Sequence, residues 1–460
     1  MSVVTLPIKV EKWQEDILLK RFELCRKIYN NMLHYEIKQL NKALSDPRYV
    51  EGRKIINETY KLSDEKEKKA RKKSEEYKAA VNATNDVLKE YGFTEFSFAS
   101  TVLAFREPYS LNISSSISDL SIAKPMWAAM QKRIFGSGNR VHFKKYDSWT
   151  SMASNGKSGI RMINENGKTV LKRENNEKLR VIMSNPKGKK LIMPVLLDEK
   201  DLYKSEMLNR KIKIVRIVKE CCGTKNQFYV QLTVEGAPAI RKDSEGNDLH
   251  PVGKGKVGMY IDTTSITLAY EDGSFESISL RRNNRTAEKI ADLQIYMDNS
   301  RRAMNPDNYN KDGTIKKGIM EDGKREKLHW NESNSYKKAK AQLKNLYRIE
   351  AKNRMLERQI LSNTLLSKGE QFVVNDYSFS AAAMRKKVEK EDGEIEKHKK
   401  AGKDVGENAP AMLLALFDRK LQTRTGNALK KVKLSDVDFH TEGYRKYYAK
   451  ELLKEIQKDS

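Results

Sequence analysis

Cysteine is scarce: three in 460 residues, Cys25, Cys221 and Cys222, the last two adjacent and ill placed for a structural disulfide. That excludes a disulfide framework and the small secreted domains built on one. Histidine is nearly as rare, six residues scattered along the chain, and no Cys-x-x-Cys occurs, so the sequence offers no zinc site of standard spacing. Long apolar runs are missing too. The longest, around Ala409–Phe417, contains Pro410 and falls far short of the ~20 residues that cross a bilayer. The opening MSVVTLPIKV has no charged-then-apolar leader. A phosphate-binding loop at Gly167-Lys168-Thr169 would need glycine at position 162, where Met162 stands. These absences lead us to expect a soluble, intracellular protein.

What the chain has is positive charge. Its 89 Lys and Arg against 62 Asp and Glu leave +27, spread from end to end. Such an excess destabilises a compact fold by self-repulsion unless a counter-charge meets it, and nucleic acid is the commonest polyanion. An anionic membrane is the competing partner, but it calls for one basic amphipathic helix or tail. Twenty tyrosines, thirteen phenylalanines and four tryptophans can furnish cores, and the length allows two or three domains.

Val3–Val10 reads as a strand. From Lys12 the period turns helical, with Ile17, Leu24, Ile28, Met32 and Tyr35, until Asp46-Pro47 ends the pattern. The run Asp64–Glu76 is a solvated helix surface, Tyr77, Val81, Leu88 and Tyr91 mark a further helix with Gly92 as C-cap, and Pro125 opens another. After Arg140 come short apolar runs: Val141–Phe143, Arg180–Met183, Leu191–Leu197, Ile212–Val218 and Phe228–Val234, the last two alternating and joined by a hairpin connection at Cys221–Asn226. The spacing therefore predicts a helical block, 11–135, inside a small β domain, 1–10 and 136–250. A third domain, 251–460, follows the linker Arg241–Lys256. It opens with strands Val257–Asp262, Ile266–Tyr270 and Phe275–Leu280. A polar helix, a long helix Ser335–Ser367, strand Phe372–Asp376, helix Glu407–Thr425, strand Leu429–Val432 and helix Tyr444–Ile456 complete it. The fold class is α+β multidomain, and the last domain has the element order of an RNase H-like fold.

Two places carry chemistry. In Lys132–Trp149 the cations Lys132, Arg133, Arg140, Lys144 and Lys145 alternate with Phe143, Tyr146 and Trp149. Cations pair with phosphates and aromatics stack on bases, so the pattern suits nucleic acid, and it equally suits a strand with its aromatic face in the core. The second is Asp262, read as central in the first strand of the last domain. In the RNase H topology carboxylates from strand one, strand four and the last helix converge on two divalent metals.

Around these residues the chain resembles the TnpB-type RNA-guided nucleases of transposons, relatives of type V CRISPR effectors. The resemblance runs over nearly the whole chain and is carried by SRRAMNPDNYNKDGTIKKG (Ser300–Gly318), FVVNDYSF (Phe372–Phe379) and NAPAMLLALFDRKL (Asn408–Leu421). It implies a wedge β-barrel with an inserted helical recognition lobe, then a RuvC-like RNase H domain. Active relatives place a glutamate in the fourth strand, where this chain has Asn375-Asp376, and a further aspartate near the C-terminus, often behind a zinc ribbon; neither motif is found before Ser460. Asp376 cannot stand in, because adjacent strand residues face opposite sides, and Glu442, Glu451 and Glu455 read as solvated. On this reading the catalytic and metal sites are vestigial, Asp262 and Asn375 remaining without function. The resemblance then implies a nuclease-dead repressor, transposon-derived, cytoplasmic and nucleoid-associated in a bacterium. It needs no cofactor, carries a guide noncoding RNA, and forms an R-loop on double-stranded DNA beside a short flanking motif. The alternatives are an active endonuclease with an unusual carboxylate set and a recruiter of a transcription or transposition factor.

Overall fold

The computed structural model describes residues 1–457 except 137, 175–176, 185–189, 282–285, 319, 322–323, 385, 390–394, 399–400 and 435–440. It comprises two compact units, Met1–Glu220 with Asn226–Ala239, and Cys221–Lys225 with Ile240–Ser460. Among the described residues no helix is long and apolar enough to cross a membrane.

The first unit begins with strand β1 (Ser2–Pro7) and helix α1 (Lys12–Ser45). Glu11 and Gln14 close a reciprocal capping box at the start of α1. Asp46 ends α1 and, accepting from the Arg48 amide, caps α2 (Pro47–Lys61), so Asp46-Pro47 divides two helices where the sequence marks only an end. Next come α3 (Glu65–Lys73), which buries nothing, then α4 (Glu75–Glu90), α5 (Glu95–Arg106) and α6 (Lys124–Phe135), with Pro125 in its first turn. Phe22, Cys25 and Met32 of α1, Phe98 of α5 and Met126 of α6 meet in one buried cluster with the strands.

These strands form two sheets. β2 (Ser151–Ser154), β6 (Ile212–Cys222) and β7 (Lys225–Val234) join β1 in the order β1-β7-β6-β2, and β3 (Ile160–Ile163), β4 (Arg180–Met183) and β5 (Leu191–Pro194) lie in sequence order. The Ile8–Val195 bridge links the edges of the two sheets. Val141–Phe143, expected among the strand runs, pairs with no strand.

In the second unit β8 (Lys256–Ile261), β9 (Ser265–Tyr270) and β10 (Phe275–Ser279) make an antiparallel meander. Helices α7 (Ala287–Met304) and α8 (Asn334–Leu366) follow, then β11 (Gln371–Asn375), α9 (Pro410–Thr425), β12 (Lys430–Val432) and α10 (Tyr444–Gln457). β11 runs parallel to β8, and β12 parallel to β11, giving the order β10-β9-β8-β11-β12. Alternation along the strands divides the core. Val257, Met259, Phe372 and Val374 pack under α8 and α9, whereas Tyr260, Ala269 and Val373 pack under α10. Gly258 is where α10 crosses β8: a Cβ there would collide with the Ala449 carbonyl and lie 2.6 Å from the Leu453 nitrogen. The expected helix Glu407–Thr425 is in fact two, Gly402–Asn408 and α9, because Ala409 takes a left-handed conformation (φ 45°).

Candidate nucleic-acid interface and carboxylate centre

Lys132–Phe135 form the last turn of α6, and Val141–Trp149 is a segment outside regular secondary structure. Its anchor is Asn30 of α1, whose amide donates to the Lys144 carbonyl (2.9 Å) and accepts from the Lys144 amide (2.8 Å). Arg26, itself oriented by Glu23, donates to the same carbonyl at 3.0 Å. Further on, Asp147 turns the chain in a left-handed conformation (φ 57°) and pairs at 2.5 Å with Lys219, whose side chain is almost fully buried. The segment is thus fixed by side chains gripping its backbone, not by strand pairing.

This anchoring sorts the candidate residues. Phe143 is 45% exposed and Tyr146 80%, and Lys132, Arg140, Lys144 and Lys145 are exposed as well, while Arg133 is half-buried. The Lys144 ammonium lies 5.7 Å from the centre of the Tyr29 ring. Trp149 is different. It is buried against Tyr29, ring centres 5.3 Å apart, and its indole N–H donates to the Ser151 carbonyl at 2.8 Å. Of the two roles the sequence allows, Trp149 therefore has that of a core residue. Asn30 and Arg26, which position the strip, carry no local signal, because a polar residue on a long helix looks like solvated surface.

In the second unit, Asp262 lies just beyond the end of β8, not at a strand centre. There its Oδ1 accepts from the amides of Thr264 (2.7 Å) and Ser265 (2.8 Å), closing the turn into β9. Its Oδ2 accepts from Nε (2.8 Å) and Nη2 (2.7 Å) of Arg445, in the first turn of α10. Partial burial of the guanidinium lowers the Arg445 pKa, but the Asp262 charge, together with Tyr444, holds it above its ordinary value. Asn375, at the end of β11, is buried and continues the sheet with its side chain. The amide accepts from the Ile261 N–H (2.8 Å) and donates to the Ile261 carbonyl (3.0 Å), taking the place of one more ladder rung. Asp376 follows the strand and is exposed.

A pair of divalent metals, implied by the family resemblance, does not fit these residues. Both oxygens of Asp262 are already engaged, one by backbone amides and the other by a guanidinium that would repel a cation. Asn375 is neutral and has both amide atoms committed to Ile261. Glu451 pairs with Lys454 at 2.6 Å. Among the described residues no group of three or more His, Cys, Asp or Glu is arranged to hold a metal ion.

No protein-family model matches the chain, and no curated protein matches it. Among solved structures, a Cas12f1–sgRNA–target DNA complex aligns over 98% of this chain and 94% of that one, at 10% identity and a TM-score of 0.43. A CRISPR-Cas12f ternary complex aligns over 99% and 94%, at 10% identity and a TM-score of 0.24. Similarity at this level does not establish a shared fold.

Proposed function

We propose that this chain is an RNA-guided DNA-binding protein that holds its target without cutting it. The observation that carries the reading is the carboxylate centre: Asp262 is neutralised by Arg445, and Asn375 is spent on the backbone of Ile261. Hydrolysis of a phosphodiester by two metals needs carboxylates free to clamp them, and these are not. The antiparallel meander followed by two parallel strands supports an RNase H-like reading of 251–460. The two linked sheets and the helices packed on them support a wedge β-barrel, 1–10 and 136–250, with a recognition lobe at 11–135. The charge of +27 and the exposed side chains of Lys132, Arg140, Phe143, Lys144, Lys145 and Tyr146 supply the phosphate and base contacts of a binding protein.

A guide RNA would bring sequence choice by pairing, the protein reading heteroduplex shape and a short flanking motif. A stable R-loop over a promoter obstructs polymerase, which makes repression the expected output. Purification of the protein with its flanking locus, followed by sequencing of the copurifying RNA, tests the first half. A discrete noncoding RNA in near-equimolar amount is expected, and heterogeneous RNA released by moderate salt would overturn it. With that RNA, matched promoter DNA and magnesium, an R-loop with both strands intact and lowered transcription are expected. Guide-directed nicking lost in Asp262→Ala would establish an endonuclease instead.

A further inference from the structure

We infer that Arg445 is the permanent counter-ion of Asp262, standing where a divalent cation would otherwise be needed, and that it makes this carboxylate an anchor for α10. The inference deepens the proposed function at the same centre; it rests on the absence of hydrolytic chemistry there and not on the guide RNA. An aspartate nine-tenths buried at a strand end needs its charge met. In a metal-dependent centre the cation meets it. Here two N–H groups of one guanidinium converge on Oδ2, at 2.7 and 2.8 Å, and the two turn amides hold Oδ1. A guanidinium is always charged, is planar and brings its own donors, so it satisfies the carboxylate at any magnesium concentration.

The cation also arrives with a structure attached. Arg445 stands in the first turn of the helix that packs on β8, β9 and β11 through Ala449, Leu452 and Leu453. Its neighbour Tyr444 lies edge-on to Tyr260 at 5.8 Å, and Tyr448 stacks on Tyr260 at 6.0 Å, so both side chains around Arg445 are already seated. The guanidinium is therefore delivered to Asp262 with little freedom left to lose. Removing it should leave a carboxylate cluster of one, with room for an ion where the guanidinium had been.

The test compares wild type, Asp262→Asn, Arg445→Ala and the double variant as full-length protein, by melting temperature with chelator or with excess manganese, and by manganese electron paramagnetic resonance. Wild type should melt at the same temperature with and without manganese. Arg445→Ala should melt roughly 5 °C lower in chelator, and manganese should restore part of the loss. The double variant should show no manganese effect, and the two single changes should couple rather than add. Arg445→Gln carries the same comparison if the alanine variant does not fold. A manganese-dependent stabilisation of wild type that Asp262→Asn abolishes would overturn the inference. So would strictly additive single changes, or an Arg445 variant as blind to manganese as wild type. Wild type that binds manganese at Asp262 yet leaves guide-matched DNA intact would sink this inference alone. Loss of guide-directed binding would sink the proposed function alone.

Discussion

Replacing Asn375 by aspartate changes one NH2 into one oxygen and leaves shape and packing as they were. In the native centre that NH2 donates to the Ile261 carbonyl at 3.0 Å while the amide oxygen accepts from the Ile261 N–H at 2.8 Å. Aspartate keeps the acceptor and loses the donor. The Ile261 carbonyl then faces a carboxylate oxygen, an unsatisfied buried acceptor costing about 1–3 kcal/mol. A second buried negative charge is added in the same centre as Asp262, and we expect a total of about 2–4 kcal/mol at pH 7. For a unit of this size that is a fall in melting temperature of roughly 5–15 °C. The deficit has a pH signature. A protonated aspartic acid can donate to the carbonyl as asparagine does, so the variant's folded pKa is raised and its deficit grows as pH rises through the acid range. Circular dichroism melts of wild type and variant from pH 4 to 8 would show the gap opening with pH. A variant that melts with wild type at pH 7 would refute the side-chain rung. Magnesium-dependent cleavage by Asn375→Asp or Asn375→Glu would refute the account of the whole centre.

Tyr146→Ala should leave the melting temperature unchanged and weaken nucleic-acid binding by about 1–3 kcal/mol if one base stacks there, whereas Trp149→Ala should cost about 3–5 kcal/mol of stability; thermal melts beside binding titrations separate them. Lys132→Ala with Lys145→Ala should weaken binding equally on all sequences and flatten the dependence of log affinity on log salt by about two. Glu36 is buried in α1, and burial pushes its carboxyl up from 4.5 to about 7. The folded state therefore binds the extra proton between those values, and stability falls as pH rises through that window. The advantage of Glu36→Gln over wild type should grow by about 3 kcal/mol between pH 4 and pH 8, and urea melts showing a flat difference would contradict this. Gly258→Ala should drive α10 off β8, read as loss of cooperativity in the second unit.

Where the sequence carried a local physical signal, the fold followed it. Ile212–Val218 and Phe228–Val234 alternate β-branched and polar residues, and both lie within strands of one sheet. The helical period from Lys12 stops at Asp46 as its capping chemistry requires. Other features had no such signal. β2 is Ser-Met-Ala-Ser, with no β-branched residue to announce a strand. Ala409 breaks its helix in a left-handed conformation that alanine gives no hint of. Val141–Phe143 has strand composition but pairs with no strand, and it leads into Lys144, whose backbone is held by Asn30 over a hundred positions earlier. The carboxylate centre was legible in part: Asn375 ends its strand as the pattern placed it, whereas Asp262, read as central in a strand, lies in the turn just beyond Ile261. The partner of Asp262 was not legible, because Arg445 is 183 residues away and only the crossing of α10 over the sheet brings them together.

The grip of Asn30 on Lys144 has a kinetic consequence. An irregular segment left to itself would have to order as a ligand arrives, and that entropy would be charged to every encounter. With the N–H and the carbonyl of Lys144 both already bonded and Asp147 tethered to Lys219, Phe143 and Tyr146 are presented on a backbone that is fixed beforehand. If nucleic acid docks here as proposed, association should proceed at the electrostatically steered rate. An Asn30→Ala protein, its strip loosened, should then bind more slowly even though every exposed cation and aromatic of the strip is still there.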